Sequence, residues 1–236
     1  GNDAVLKEQF SSMKHHVERI ALRSKKPYLW VGNWHFGDWL GLDAPEGSFT
    51  GSSDKDFIAS AFYARSTWIL MKTGEIIGEN TDKYQVLYQK IRENFIEMFP
   101  DTKTQTECAL AVCFDLTKDK EKTAKTLVEL IKNCGNHLQT GFIGTPYLLH
   151  ALSQNGYTEV AYDLLLRKEY PSWLYSVQCG ATTVWEHWDG KNQKGEFWSA
   201  EMNSFNHYAY GAVVDWIYSV AGGITPLQPG FEKINI

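Results

Sequence analysis

The chain has 236 residues, of which 43% are hydrophobic and 22% charged, a composition typical of globular proteins. Acidic residues exceed basic residues (28 against 23), so we expect no nucleic-acid or anionic-membrane partner. No apolar stretch is long enough to span a membrane. The four cysteines show no disulfide or zinc-site pattern, so we expect no metal or cofactor. The compartment stays open between the cytoplasm and the periplasm or exterior.

The first half of the chain predicts five helices. Apolar residues recur in steps of three and four over residues 6–20, which is one face of a helix. Ser53, with an acid three residues later, is expected to cap a second helix. A third runs from about Thr81 to Pro100, and a short apolar segment follows at 104–114. Gly135 is placed just after the end of the fifth helix.

The second half predicts three more helices and one strand. Thr145 and Pro146 are expected as the N-cap and first residue of a helix. Another helix covers Thr158–Arg167, and Ser204 is expected to cap a last helix that ends at two glycines. Residues 231–236 alternate between apolar and polar, which is typical of the beginning of a strand.

This order of elements predicts an all-α fold. About eight helices are joined by alternately short and long loops, which is typical of an (α/α)6 toroid. We expect an incomplete toroid, because six hairpins need twelve helices, and a single domain over 1–236. Residues 231–236 would begin a C-terminal β-domain. A four-helix bundle with added loops is the alternative, whereas a solenoid needs a sequence repeat that the chain does not show.

Tryptophans are unevenly placed. Trp68 and Trp216 lie on helix faces and are expected in the core. The other seven lie in two glycine-rich stretches and are Trp30, Trp34, Trp39, Trp173, Trp185, Trp188 and Trp198. Flat aromatic faces beside carboxylates and amides suit sugar rings, so these stretches predict a carbohydrate site. The alternative is that long loops use large aromatic side chains as anchors.

Glycoside hydrolysis requires two carboxyl groups across the scissile bond. Glu186 is the first choice for one of them, because it lies between two tryptophans and partial desolvation strengthens a carboxylate as a base. Asp38 is the next choice, although it also fits a turn acceptor in a glycine-rich loop. His207 can bond a sugar hydroxyl or the backbone at the start of the last helix.

An ordered set of motifs from residue 28 onward points to a family. It includes Phe36-Gly-Asp-Trp-Leu40, His137-Leu-Gln-Thr-Gly-Phe142, Trp185-Glu186 with Trp188-Asp189, and Met202-Asn-Ser-Phe-Asn-His207. In this order the chain resembles the α-L-rhamnosidases of glycoside hydrolase family 78. The resemblance implies an (α/α)6 barrel that cleaves terminal α-L-rhamnose with inversion. It also implies Glu186 as general base, with Trp39 and His207 lining the rhamnose subsite.

The site predicted from the sequence therefore has one catalytic and five substrate-binding residues. Glu186 is catalytic, and the substrate-binding residues are Asp38, Trp39, Trp185, Trp188 and His207. In the family the general acid lies in an upstream motif that this chain does not contain. We therefore expect the back portion of a catalytic barrel, which binds rhamnose-containing carbohydrate and forms a homo-oligomer through exposed barrel faces.

Three alternatives remain open at this point. The same pocket without the acid would be a rhamnoside-binding fragment that does not turn its ligand over. A different (α/α)6 carbohydrate-active enzyme would need a basic site for phosphate or uronate, and the loops offer only Lys191 and Lys194. A helical interaction scaffold would show exposed helix faces and no pocket.

Overall fold

The computed structural model describes residues 2–236, apart from the side chain of Pro229, and nearly all of the regular secondary structure in this part of the chain is helical. Its α-helices are α1 (Asp3–Arg23), α2 (Lys55–Ile77), α3 (Asp82–Met98), α4 (Gln105–Cys113), α5 (Lys120–Asn133), α6 (Thr145–Ser153), α7 (Thr158–Leu166), α8 (Trp173–Gln178) and α9 (Val213–Trp216). The predicted all-α class is confirmed. Within residues 2–236, no helix has the length and apolarity that crossing a membrane requires.

The helices form two layers. In the inner layer α2 packs against α4, α4 against α6, and α6 against α9. In the outer layer α1 and α3 pack on α2, α5 packs on α4, and α7 packs on α6. Inner helix α4 is buried from Gln105 to Val112, whereas outer helix α5 buries only one face. Alternating inner and outer helices are the arrangement of the predicted α/α toroid.

Two apolar clusters hold the layers together. Phe57, Phe95 and Leu110 belong to a cluster between α2, α3 and α4. Leu127 and Trp216 belong to a second cluster between α4, α5, α6 and α9. Burying each such side chain contributes about 1.5–3 kcal/mol, which fixes the inner helices and the loops at their ends.

Two predicted helix caps were wrong by one residue. Asp54, not Ser53, caps α2, because its carboxylate accepts from the backbone N–H groups at positions 56 and 57. The Ser53 hydroxyl instead bonds Thr104 at the start of α4. Gly144, not Thr145, is the N-cap of α6, and the Thr145 hydroxyl bonds Thr140. The prediction for Gly135 is confirmed, with a positive φ just after α5.

The last helix differs most from its prediction. It begins with a 3-10 turn at Ala209–Ala212, continues as α9 and ends in a π turn at Ile217–Ala221. Ser204 does not cap it, because Ser204 lies in an irregular loop, where its carbonyl accepts from the Glu186 N–H and its own N–H donates to the Glu186 carboxylate. Helix α8 was missed by the sequence analysis, since six residues show no period.

The predicted strand over 231–236 forms only in part, because Phe231 lies in a 3-10 turn and the strand covers two residues. Strand β2 (Ile234–Asn235) pairs antiparallel with β1 (Thr225–Pro226). A hairpin this short is consistent with the alternating tail. That it begins a β-domain stays a prediction.

Candidate active site

Three loops that precede inner helices meet at one end of the layers. They are residues 28–54 before α2, 134–144 before α6 and 179–208 before the last helical segment. The Phe142 N–H donates to the Trp39 carbonyl at 2.9 Å, and the Phe142 ring stacks on the His207 ring with 4.7 Å between centroids. The structure thus brings together Trp39 and His207, which are far apart in sequence.

Glu186 and His207 lie on two loop segments that backbone hydrogen bonds join. The His207 N–H donates to the Val184 carbonyl at 2.8 Å, and the Glu186 N–H donates to the Ser204 carbonyl at 2.9 Å. The Ser204 N–H in turn donates to Glu186 Oε2 at 3.0 Å. No donor within residues 2–236 bonds the other oxygen, Oε1, and the side chain is half-buried. Glu186 is therefore an oriented carboxylate with one oxygen able to accept a proton.

Asp38 is placed very differently. Its side chain is 1% exposed, and its carboxylate accepts four hydrogen bonds. The donors are the Thr106 hydroxyl and the backbone N–H groups of Gly141 (2.9 Å), Ile143 (2.8 Å) and Gly144 (3.2 Å). Burial raises the pKa of Asp38, and the four donors oppose that rise. This carboxylate joins three segments and has little surface left for a ligand.

The glycines of Gly141-Phe-Ile-Gly144 are required by this close approach. A Cβ at Gly141 would lie 2.2 Å from the Trp39 carbonyl oxygen, and one at Gly144 would lie 2.2 Å from the Thr106 hydroxyl oxygen. The N–H groups of Gly141, Ile143 and Gly144, just before α6, form an anion-binding nest that holds the Asp38 carboxylate, whereas the Phe142 N–H donates to the Trp39 carbonyl.

The predicted site tryptophans differ in exposure: Trp185 and Trp188 are buried, whereas Trp39 is partly accessible. Trp185 is 6% exposed and packs edge-on against Phe205 at 5.0 Å. Trp188 is 4% exposed and stacks on Tyr210 at 3.9 Å. Trp39 is only half-buried, so it presents more surface to a ligand than the other two.

Four residues of this cluster were not among the predicted site residues. Phe142 contacts both Trp39 and His207, and its signal was the glycine-rich motif that contains it. His187, Asp189 and Tyr210 line a cavity behind Trp188. Tyr210 was hidden because its segment was predicted as ordinary helix. Within residues 2–236 no group of three or more His, Cys, Asp or Glu side chains is arranged to hold a metal ion.

Comparison with known families gives one match that covers almost the whole chain. Residues 1–221 match the family model of the bacterial α-L-rhamnosidase six-hairpin glycosidase domain. An α-L-rhamnosidase of Formosa agariphila is 37% identical over 247 residues, which cover all of this chain and 26% of that protein. An α-L-rhamnosidase of Alteromonas sp. is also 37% identical, over 27% of its length. The chain thus spans about a quarter of these relatives.

Solved structures give the same result. The crystal structure of Streptomyces avermitilis α-L-rhamnosidase complexed with L-rhamnose aligns with a TM-score of 0.90 and 34% identity, over 99% of this chain and 23% of that one. Native α-L-rhamnosidase from Aspergillus terreus aligns with a TM-score of 0.91 and 33% identity, over 99% of this chain and 28% of that one. These alignments support the toroid assignment of the two helical layers.

Proposed function

The chain belongs to the bacterial α-L-rhamnosidase six-hairpin glycosidase family, and from this premise we propose that it carries the general base and one wall of the sugar site of an α-L-rhamnosidase. In this proposal the protein cleaves terminal α-L-rhamnose from glycosides or polysaccharides with inversion. The observation that supports it best is the geometry of Glu186. One oxygen accepts from the Ser204 N–H, while the other receives no hydrogen bond from any residue within 2–236.

The proposed reaction uses one water. Glu186 Oε1 takes a proton from the water as its oxygen attacks the anomeric carbon. The bond from that carbon to the leaving oxygen breaks, and a second carboxyl group gives the leaving oxygen its proton. Attack from the opposite face inverts the anomeric centre, so the first product is β-L-rhamnose. The two carboxyl groups of such a pair stand roughly 6.5–9.5 Å apart.

The proposal places the general acid outside residues 1–236. Asp38 is buried and its oxygens are occupied by four donors. Both oxygens of Asp43 bond Ser52. Asp189 is half-buried, and its burial raises its pKa, but it lines a separate cavity rather than the space beside Glu186. None of these carboxyl groups stands free opposite the base.

The sugar is held by the accessible faces of this cluster. Trp39 stacks on the rhamnose ring, and His207, which is supported by Phe142, bonds a hydroxyl. Trp185 and Trp188 form the wall behind the ring. Asp38 is a positioning residue in this proposal, because its carboxylate fixes the loop on which Trp39 lies.

Association of the chain is a further part of the proposal. Ile69 and Ile76 of α2 are 41% and 51% exposed, and a groove of about 470 Å³ lies between α1 and α2. Apolar surface of this kind favours association, so we expect a homo-oligomer. Light scattering that shows only a monomer at high concentration would contradict this expectation.

Proton NMR of the first product tests the proposed reaction. An aryl α-L-rhamnoside is added to the protein as the cell produces it, and the anomer that appears first is identified before mutarotation. The proposal predicts β-L-rhamnose. Release of the α anomer first would show retention and would exclude Glu186 as the base of an inverting enzyme.

The same assay on residues 1–236 alone separates the enzyme from the binding fragment. We expect negligible turnover, because the proposed acid is missing. Robust turnover by these residues, lost on Glu186→Gln, would show that the acid lies within them. Rhamnoside binding without turnover by the naturally produced protein would favour the binding module instead.

A further inference from the structure

The proposed base is followed directly by a short turn. The Gly190 N–H donates to the His187 carbonyl at 3.1 Å, which closes this turn next to Glu186. Residues 186–190 belong to the described stretch 179–208, which contains no helix. Because irregular backbone lacks the repeated hydrogen bonds of a helix, the position of Glu186 depends on the few contacts that hold this turn.

Two carbonyl groups of the turn each accept a hydrogen bond from a side chain. The Ser176 hydroxyl donates to the Trp188 carbonyl at 2.7 Å. The Asn203 amide donates to the Gly190 carbonyl at 2.9 Å. Ser176 is 9% exposed and Asn203 is half-buried, so water competes little for these two bonds. Both ends of the turn are therefore fixed by named side chains.

The two donors connect the turn to different parts of the molecule. Ser176 lies on helix α8, and within residues 2–236 its hydroxyl makes the one hydrogen bond between residues 186–190 and a helix. Asn203 directly precedes Ser204, whose backbone bonds both the N–H and the carboxylate of Glu186. Ser176 thus anchors the turn to the helical scaffold, and Asn203 keeps it aligned with the N–H that orients Glu186 Oε2.

The contact between Asn203 and Gly190 is close. A Cβ at Gly190 would lie 3.0 Å from Asn203 Oδ1 and 3.4 Å from atoms of the Trp185 and Phe205 rings. Asn203 Oδ1 is buried and makes no hydrogen bond within residues 2–236. An amide whose buried oxygen has no partner is poorly suited to stability alone, which favours a role in placing the Gly190 carbonyl.

We infer that Ser176 and Asn203 are positioning residues, which place the proposed base by holding the carbonyl groups at positions 188 and 190. Neither side chain takes or gives a proton in the reaction, and both act through Glu186. The inference rests on the proposed function, since it names residues that serve the base of that reaction.

The proposed sugar contacts are fixed by other groups. The Phe142 N–H bonds the Trp39 carbonyl, and the Phe142 ring stacks on His207. The buried Trp188 ring stacks on the Tyr210 ring at 3.9 Å. Loss of a hydrogen bond to the turn should therefore displace the base while the sugar-binding faces stay in place.

Ser176→Ala and Asn203→Ala test the inference in the naturally produced protein, because each removes one donor to the turn. We expect the kcat for an aryl α-L-rhamnoside to fall about tenfold in each variant, since a misplacement of about 1 Å costs up to roughly 10²-fold. The Kd for L-rhamnose should stay within about twofold. Ser176→Thr keeps the hydroxyl group and should restore most of the kcat.

Two matched controls remove similar hydrogen bonds outside residues 179–208. Ser219→Ala removes a hydroxyl that donates to the Asp215 carbonyl at 2.7 Å. Asn155→Ala removes an amide that donates to the Ala151 carbonyl at 2.8 Å. The kcat of both controls should stay within about twofold of the unaltered protein.

A rise in Kd as large as the fall in kcat would give these side chains a general structural role and overturn the inference. Equal losses of kcat in the controls would overturn it too. An unchanged kcat in one variant would overturn the role of that residue. If one variant fails to fold, the other decides, and failure of both to fold would overturn the inference in favour of a structural role.

Hydrogen exchange separates this inference from the proposed function. If the unaltered protein hydrolyses no rhamnoside, the proposed function fails, and deuterium uptake measured by mass spectrometry decides the positioning role. Both variants should take up deuterium faster than the unaltered protein over residues 184–190, while residues 137–142 exchange as before. Equal uptake over residues 184–190 would show that the two side chains do not hold the turn.

Discussion

The Asp38 loop and the Glu186 loop look alike in sequence and differ in structure. Each contains a carboxylate beside tryptophan in a glycine-rich stretch before an inner helix. Asp38 is 1% exposed and accepts four hydrogen bonds, whereas Glu186 is half-buried and accepts one. An acid whose oxygens are all bonded holds structure, while an acid with a free oxygen is available for chemistry. The number of donors, not the neighbouring residues, distinguishes the two carboxylates.

The largest effect on stability is expected from Asp38→Asn. An amide places an NH2 group against backbone donors and removes the charge that they bond. We expect the free energy of unfolding to fall by about 3 kcal/mol, the size of one to two hydrogen bonds to a charged group. Urea unfolding measures this loss. Asp43→Asn, in the same loop but bonded only to Ser52, should cost about 1 kcal/mol or less. Equal losses of unfolding free energy in the two variants would show that Asp38 does not stabilise the fold more than Asp43 does.

Gly141→Ala tests the nest that holds Asp38. The new Cβ would lie 2.2 Å from the Trp39 carbonyl oxygen, so this contact must widen. We expect a loss of about 1–3 kcal/mol in thermal unfolding and a higher KM for rhamnosides, because Trp39 moves. Gly211→Ala is the control, since its Cβ meets only a Val184 methyl group at 3.4 Å. If Gly141→Ala unfolds at the temperature of the unaltered protein, the two loops are not held in this way.

The smallest effect is a pH dependence in the Glu186 loop. Burial lowers the pKa of His187, although Glu186 opposes this. Below the ordinary histidine pKa of about 6.5, His187 takes up a proton in the unfolded chain, whereas the buried ring in the folded protein stays neutral to a lower pH. Stability contributed by neutral His187 is therefore present above about pH 6.5 and is lost as the pH falls toward the lowered value.

His187→Phe separates this effect from general acid unfolding. Phenylalanine keeps a ring against Trp198 and cannot titrate. Unfolding midpoints measured from pH 7.5 down to about pH 5 should fall less steeply for the variant than for the unaltered protein. Parallel curves would show that His187 does not contribute.

Periodicity predicted the helices that bury one face. Outer helices α1, α3 and α5 show clear apolar stripes, and their positions were predicted from the sequence. Helix α4 shows no stripe because it is buried on nearly all sides, and α8 is too short to show a period. The break in the last helix could not be predicted, because it follows from pairing between the Ser204 and Glu186 segments.

The position of the candidate site residues in the fold could be predicted only in part. Glu186, Trp39 and His207 remain predicted site residues. The structure links the Trp39 loop to Phe142, Phe142 to His207, and the His207 segment to that of Glu186. The donors to Asp38 lie 68 to 106 residues away in sequence, so no local pattern shows that its oxygens are occupied. The cavity at Asp189 is equally non-local, because its walls come from separate loops.

The central claim, that Glu186 acts as a base and not as a structural acid, is tested most directly by measuring turnover and binding in Glu186→Gln. Glutamine keeps the shape of the side chain and an oxygen for the Ser204 N–H, but it cannot take a proton. We expect turnover of an aryl α-L-rhamnoside to fall by about 10²–10⁴-fold while the Kd for L-rhamnose stays within about threefold. Glu196→Gln, an exposed acid of the same loop, should change neither. Retained turnover, or a loss of binding as large as the loss of turnover, would contradict the account.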